Sequence, residues 1–191
     1  MVKVTLMQEE AIELLRDIAE ENVMYIGRVS KKSEESLENF EKTNIEDAKE
    51  IMKMAKERKI KFLLPVDHVA YIKDKDKVVK TIELEREMTA FDIGKRTIKL
   101  FTQAIMNAKQ VVWNGPVGKY EDPRFKKGTM KLAKAIAKSD AYSIVGGGDS
   151  VSAINACGVA KHINHLSTGG GASLKLMEGK VLPAVEVIDT I

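Results

Sequence analysis

Apolar residues recur along this chain with two periods, and the exchange between them outlines the elements. From Gln8 to Glu21, Ala11, Ile12, Leu15, Ile18 and Ala19 form a helical stripe, and Val23 to Ile26 follows as a short strand. Val29 to Lys42 is charged and Ser-rich and reads as a loop or a weak exposed helix. Thr43 and Glu46 have capping-box spacing, and Ile45, Ala48, Ile51, Met52 and Ala55 line one face of the helix they open. Ile60 to Leu64 is a buried-strand pattern ended by Pro65, Lys73 to Lys77 a charged turn, and Val78 to Leu84 a further strand. Ile98, Phe101, Ala104, Ile105 and Ala108 mark the next helix, Val111 to Trp113 a strand, and Leu132, Ala133, Ile136 and Ala137 another helix. Ala141 to Val145 is an apolar strand running into three glycines, with helices expected at Asp149 to Ala156 and Ala172 to Glu178.

Strands alternating with helices predict an α/β fold with a mostly parallel sheet and helices on both faces. A length of 191 residues suffices for a sizeable core. Hydrophobic residues at 44% and charged residues at 31% exclude a disordered or collagen-like chain. Lys and Arg number 31 against 28 Asp and Glu, a net +3 too balanced for nucleic-acid binding by bulk charge. No apolar run approaches the roughly 18 residues that span a bilayer, and MVKVTLMQEE has no signal-peptide core, so no membrane and no export are expected. Cys157 is the single cysteine, which excludes an internal disulfide and fits a reducing, cytoplasmic setting; it reads as buried and inert. His68, His162 and His165 lack the spacing of a triad or zinc site and read as structural, and the nine methionines as core filler.

The chemistry concentrates in four segments. In AYSIVGGGDS a strand enters Gly146, Gly147 and Gly148, then Asp149, Ser150 and a helix. Glycine amides beside a helix N-terminus suit phosphate, although a tight strand-to-helix turn has the same pattern. Asp149 either caps that helix or holds Mg²⁺. STGGGAS repeats the theme with Thr168, Gly169, Gly170, Gly171 and Ser173, or is a flexible loop. In VVWNGPVGKYE, Asn114, Gly115, Pro116 and Gly118 form a turn at a strand's carboxyl end; Asn114 can donate to a phosphate and Glu121 can accept from a ribose hydroxyl, or both are surface groups. Asp67, in LLPVD, faces the same crevice or caps a turn, and Trp113 reads as core.

LLPVD, WNGPVG, GGGDS and STGGGASLKLMEGKVLP, in that order, resemble the carboxy-terminal, nucleotide-binding half of phosphoglycerate kinase, from about Ile45 to the end. The resemblance implies a Rossmann-like domain at 45–191, lacking part of the family's domain, with a divergent segment at 1–44. It also implies ATP/ADP and Mg²⁺ as ligands and phosphoryl transfer between ATP and 3-phosphoglycerate. By motif, Gly146, Gly147, Gly148, Asn114 and Ser150 would lie at the nucleotide phosphates, Asp149 would ligate Mg²⁺, Glu121 would meet the ribose, and Pro116 would line the site. Thr168, Gly169, Gly170 and Gly171 would lie near the reacting phosphoryl, with Gly147, Gly148, Gly170 and Gly171 as the catalytic amides.

Some family features lack counterparts. The basic patch for 3-phosphoglycerate and the GGAKV segment are absent, and YIGRVS (Tyr25 to Ser30) is the nearest match to GGGMA. Lys95, Lys119 and Tyr120 depart from the usual residues. This chain is therefore expected to supply the Mg·ATP half, with 3-phosphoglycerate a partner only if an amino-terminal half is supplied. The alternative is a non-catalytic relic or partner-binding module that keeps the fold.

Overall fold

The computed structural model describes residues 2–4, 24–26, 52–59, 61–85 and 87–172. The described strands are β1 (Val2–Val4), β2 (Met24–Ile26), β3 (Lys61–Leu63), β4 (His68–Ile72), β5 (Lys77–Thr81), β6 (Met88–Ile93), β7 (Gln110–Asn114), β8 (Tyr142–Gly146) and β9 (His165–Ser167). The helices are α1 at 52–57, α2 (Lys95–Met106), α3 (Lys127–Lys138) and α4 (Gly148–Ala156).

Six strands form one parallel sheet in the order β3-β2-β1-β7-β8-β9. Strand numbers rise away from β1 on both sides, so the order reverses between β1 and β7. Such a switch point opens a crevice outside the carboxyl ends of the strands, where ligands of open α/β sheets bind. Val111, Val112 and Trp113 of β7 are all buried, as a strand covered on both faces requires. Val111 and Trp113 enter the main core with Phe101 and Ile105 of α2, Leu132 and Ile136 of α3, Val145 of β8 and Ile154 of α4. Both α2 and α3 are amphipathic at a helical period, and their apolar stripes meet over this core.

The remaining three strands differ from the expected alternation. They form a separate antiparallel sheet, β5-β4-β6. The expected strand at Val78 to Leu84 is the hairpin strand β5, and it ends at Thr81. A 3-10 turn at Lys73–Lys75 and Asp76, with φ 44°, close that hairpin where the charged turn was expected. Sequence periodicity missed β1, β4, β6 and β9. Two of these are three residues long, too short to show a period, while β4 and β6 carry polar positions that break the apolar run.

The strand expected at Val23 to Ile26 is β2, and the helices expected around Ile98, Leu132 and Asp149 are α2, α3 and α4. The helix expected at Gln8 to Glu21, the Val29 to Lys42 stretch, the capping box at Thr43 and nearly all of Ala172 to Glu178 lie outside the described residues. Met52 and Met106 are exposed rather than core, because each falls on the solvent side of its helix. Cys157 is half-buried rather than buried, its Sγ 3.6 Å from the Met130 carbonyl oxygen. Among the described residues no helix is long and apolar enough to cross a membrane.

Candidate functional site

Strands β7, β8 and β9 end side by side. Their register pairs Asn114 with Gly146 and Gly146 with Ser167, so the three loops that follow leave the sheet at one level. The segments singled out by sequence, 114–118, 146–150 and 168–171, therefore form neighbouring walls at the carboxyl edge, beside the switch point.

The two glycine runs touch backbone to backbone. A Cβ on Gly170 would lie 2.7 Å from Gly147 Cα, 2.9 Å from Gly147 N and 3.1 Å from Asn114 Oδ1. A Cβ on Gly147 would lie 2.7 Å from the same Asn114 oxygen, and its φ of +93° falls where side chains are rarely tolerated. The Gly147 amide donates to the Ser167 carbonyl at 2.9 Å, so it is spent on holding the loops together. Gly146 is buried as the last residue of β8. Gly148 and Gly171, by contrast, face open space: nothing lies within 4 Å of where their Cβ atoms would be. Each run thus divides its work, with inner glycines permitting contact and Gly148 and Gly171 facing open space.

Gly147 is the N-cap of α4, and no side chain caps this end. Asp149 is therefore not the cap. It is exposed in the first turn, and among the described residues its carboxylate makes no hydrogen bond or ion pair. The first amides of α4 have no intrahelical acceptors and, with the helix dipole, favour an anion there. An uncommitted carboxylate beside an anion site fits Mg²⁺, which binds through one or two carboxylates plus substrate phosphates. No cluster of three or more metal-ligating side chains occurs among the described residues.

Ser150 points inward rather than into the crevice. It is fully buried, and its Oγ accepts the Gly115 amide at 2.6 Å, tying the β7 loop to α4. Trp113 is core, as expected, and its indole N–H donates to the Gly115 carbonyl at 2.6 Å. Pro116 is half-buried on the same loop, Glu121 is exposed further along it, and Thr168 and Gly169 are exposed at the rim of the β9 loop.

Two aspartates accept first-turn amides of helices that lie far along the chain from them. Asp67 accepts the Arg96 and Thr97 amides at 2.9 and 2.7 Å and the Thr97 hydroxyl at 2.6 Å, so it caps α2. Burial would raise its pKa, but these hydrogen bonds, helped by the Arg96 charge, outweigh burial and hold the carboxyl below its ordinary value. His68 beside it is half-buried, and burial lowers its pKa despite the Asp67 charge. Asp92, at 3% exposure, accepts the Ile93 and Gly128 amides at 2.9 and 2.8 Å. Sequence reasoning missed Asp92, because its second partner lies 36 residues away. Next to Glu121, hydrogen bonds from Arg124 hold the Asp122 carboxyl down at about 2, and Arg124 also lies over the rings of Tyr71 and Phe125.

This chain is similar to known proteins in sequence and in fold. The family model described as phosphoglycerate kinase matches residues 22–180. A phosphoglycerate kinase of Clostridium tetani is 44% identical over 154 residues, covering 78% of this chain and 38% of the relative. One of Koribacter versatilis is 48% identical over 155 residues, again covering 78% of this chain and 38% of the relative. The solved phosphoglycerate kinase of Pyrococcus horikoshii superposes with a TM-score of 0.78 at 28% identity, covering 98% of this chain and 51% of that one. That of Coxiella burnetii gives 0.72 at 28% identity, covering 97% and 52%. This chain spans well under half the length of the curated relatives it matches.

Proposed function

Because this chain belongs to the phosphoglycerate kinase family, we propose that it supplies the Mg·ATP-binding half of such a kinase, acting in phosphoryl transfer between ATP and 3-phosphoglycerate. The observation that carries this reading is the meeting of Asn114, Gly147 and Gly170 at the ends of three parallel strands, with Gly148, Asp149 and Gly171 left facing open space.

In this reading the nucleotide phosphates lie over the N-terminus of α4. The Gly148 amide and those of the first turn donate to them, and the β9 loop from Thr168 to Gly171 closes over the transferring group. Asp149 holds Mg²⁺, which when bound neutralises charge on the phosphates. Asn114, whose Oδ1 lies against both glycine runs, directs its amide nitrogen to a phosphate oxygen. Glu121 accepts from the ribose, and Pro116 lines the nucleoside end. Ser150 positions the Gly115 turn through its buried hydroxyl. The protein's share of the chemistry is fixed donors and excluded water, which stabilise the charge developing on a phosphoryl group in flight.

Transfer also needs an acceptor held in line with the nucleotide. That part comes from an amino-terminal half, which in the family carries the basic site for 3-phosphoglycerate. The setting consistent with this reading is the cytoplasm, with no membrane or nucleic-acid partner.

Calorimetry of Mg·ATP against the purified chain, with Asp149→Ala alongside, tests the proposal. Binding that weakens by about tenfold or more in the variant supports it. Absence of binding by a chain shown to be folded refutes it. The alternative, a partner-binding relic that keeps the fold, predicts that second result.

A further inference from the structure

Asp92 is a buried carboxylate that phosphoryl transfer does not use, yet it sits beneath the loop carrying Pro116 and Glu121. It is the penultimate residue of β6. Its Oδ1 accepts the Ile93 amide and its Oδ2 the Gly128 amide in the first turn of α3. Two glycines close over it: a Cβ on Gly118 or on Gly128 would overlap the Asp92 carboxylate. The loop is stitched down at the same level by the Lys119 amide donating to the Phe91 carbonyl at 2.7 Å and by the Gly118 amide donating to the Thr129 hydroxyl at 3.1 Å. The span from Tyr120 to Lys127, with Glu121 near its start, is thus bonded to the Asp92 carboxylate at one end through the Gly128 amide and packs against the same carboxylate at the other through Gly118.

We propose that Asp92 is a positioning residue for the nucleoside end of the site: its carboxylate clamps residues 118–128 and so sets where Pro116 and Glu121 meet the ribose and base, without touching the ligand. The proposal rests on the Mg·ATP-half reading. A buried carboxylate tolerates burial only when charge-assisted hydrogen bonds satisfy it, and those bonds are directional. An apolar residue of the same size would fill the space but would leave the Gly128 amide unpaired. Asparagine keeps the shape, but it turns an NH₂ group toward one of two N–H donors. The phosphate walls at 146–149 and 168–171 are held by other bonds, chiefly Gly147 to Ser167. Disturbing Asp92 should therefore separate nucleoside recognition from phosphate recognition.

The test measures the affinities of Mg·ADP and of Mg·tripolyphosphate, which lacks ribose and base, on the native chain, on Asp92→Asn and on Gly118→Ala. Asp92→Asn is expected to raise the Kd for ADP about tenfold while leaving tripolyphosphate within about twofold. Gly118→Ala keeps the carboxylate but sets a methyl group against both Asp92 and the Phe125 carbonyl, which displaces the loop, and it is expected to give the same split. It decides the matter if Asp92→Asn does not fold. Equal losses for both ligands, or no loss for either, overturn the positioning role. A native chain that binds neither ligand overturns the Mg·ATP reading itself, and that result is read before any variant is compared.

Discussion

Alanine at Gly170 would place a methyl group 2.7 Å from Gly147 Cα and 2.9 Å from Gly147 N, with Asn114 Oδ1 at 3.1 Å. Ordinary carbon–carbon contact is about 3.5–4.0 Å, so the two loops must separate by nearly 1 Å. Gly147 cannot yield by a side-chain rotation, because the atoms met are backbone, and its amide is bonded to Ser167. Overpacking of this kind costs about 1–3 kcal/mol. At this chain length that lowers the melting temperature by about 2–12 °C. Gly171→Ala is the matched control. Its Cβ meets nothing within 4 Å, and the residue is helical, so stability should hold or rise by about 0.5–1 kcal/mol. Mg·ATP affinity should fall in both variants, in Gly170→Ala because the walls part and in Gly171→Ala because a methyl group enters the crevice. Thermal unfolding and calorimetry on the two proteins give four numbers. If Gly170→Ala melts with the native chain, or if Gly171→Ala is the less stable of the two, the packed-inside and open-outside division of the glycine runs is wrong.

Three further outcomes follow from the same geometry. Ser150→Ala removes the acceptor of the Gly115 amide, so it should cost about 1–3 kcal/mol in urea unfolding and weaken Mg·ATP binding; wild-type stability would contradict the bond. Asp67→Ala removes the α2 cap and should cost about 1–2 kcal/mol at neutral pH. Because the folded carboxyl of Asp67 lies below its ordinary value of 3.8, its contribution is present above that value and lost as pH falls through the lower folded one. The gap between native and variant should accordingly shrink in acid, and a gap constant from pH 7 to pH 2 counts against the cap. Arg124→Ala should raise the Asp122 carboxyl from about 2 toward the ordinary 3.8, followed by carboxyl-carbon NMR; an unmoved titration would show that another group holds it down.

Much of the site was legible because each loop carries its own signature. Asn114 with its Gly-Pro turn, GGGDS and STGGG each combine a strand with residues that free the backbone, and that pairing is local in sequence. Whether Asp149 caps its helix was not legible, because glycine and aspartate both suit the N-cap and the sequence does not fix which residue occupies it. The structure excludes Asp149 as the cap, since Gly147 occupies the N-cap. The inward turn of Ser150 escaped sequence reading for a related reason: its partner, Gly115, lies 35 residues away.

The sequence by itself determined the α/β class, the helices at α2, α3 and α4, and the glycine-rich segments that line the carboxyl edge of the sheet. These depend on residue period and on glycine at strand ends, which are properties of short stretches. Only the tertiary structure decided that β4, β5 and β6 leave the parallel sheet to pair with one another, and that β1 lies beside β7 so that the order reverses there. It alone showed which glycine of each run packs and which faces outward, and that Asp67 and Asp92 accept first-turn amides of helices. The physical reason is one of range. Periodicity and turn chemistry act over a few residues, whereas pairing register, close backbone approach and the satisfaction of a buried carboxylate depend on partners about thirty residues away, which only the folded chain brings within hydrogen-bond distance.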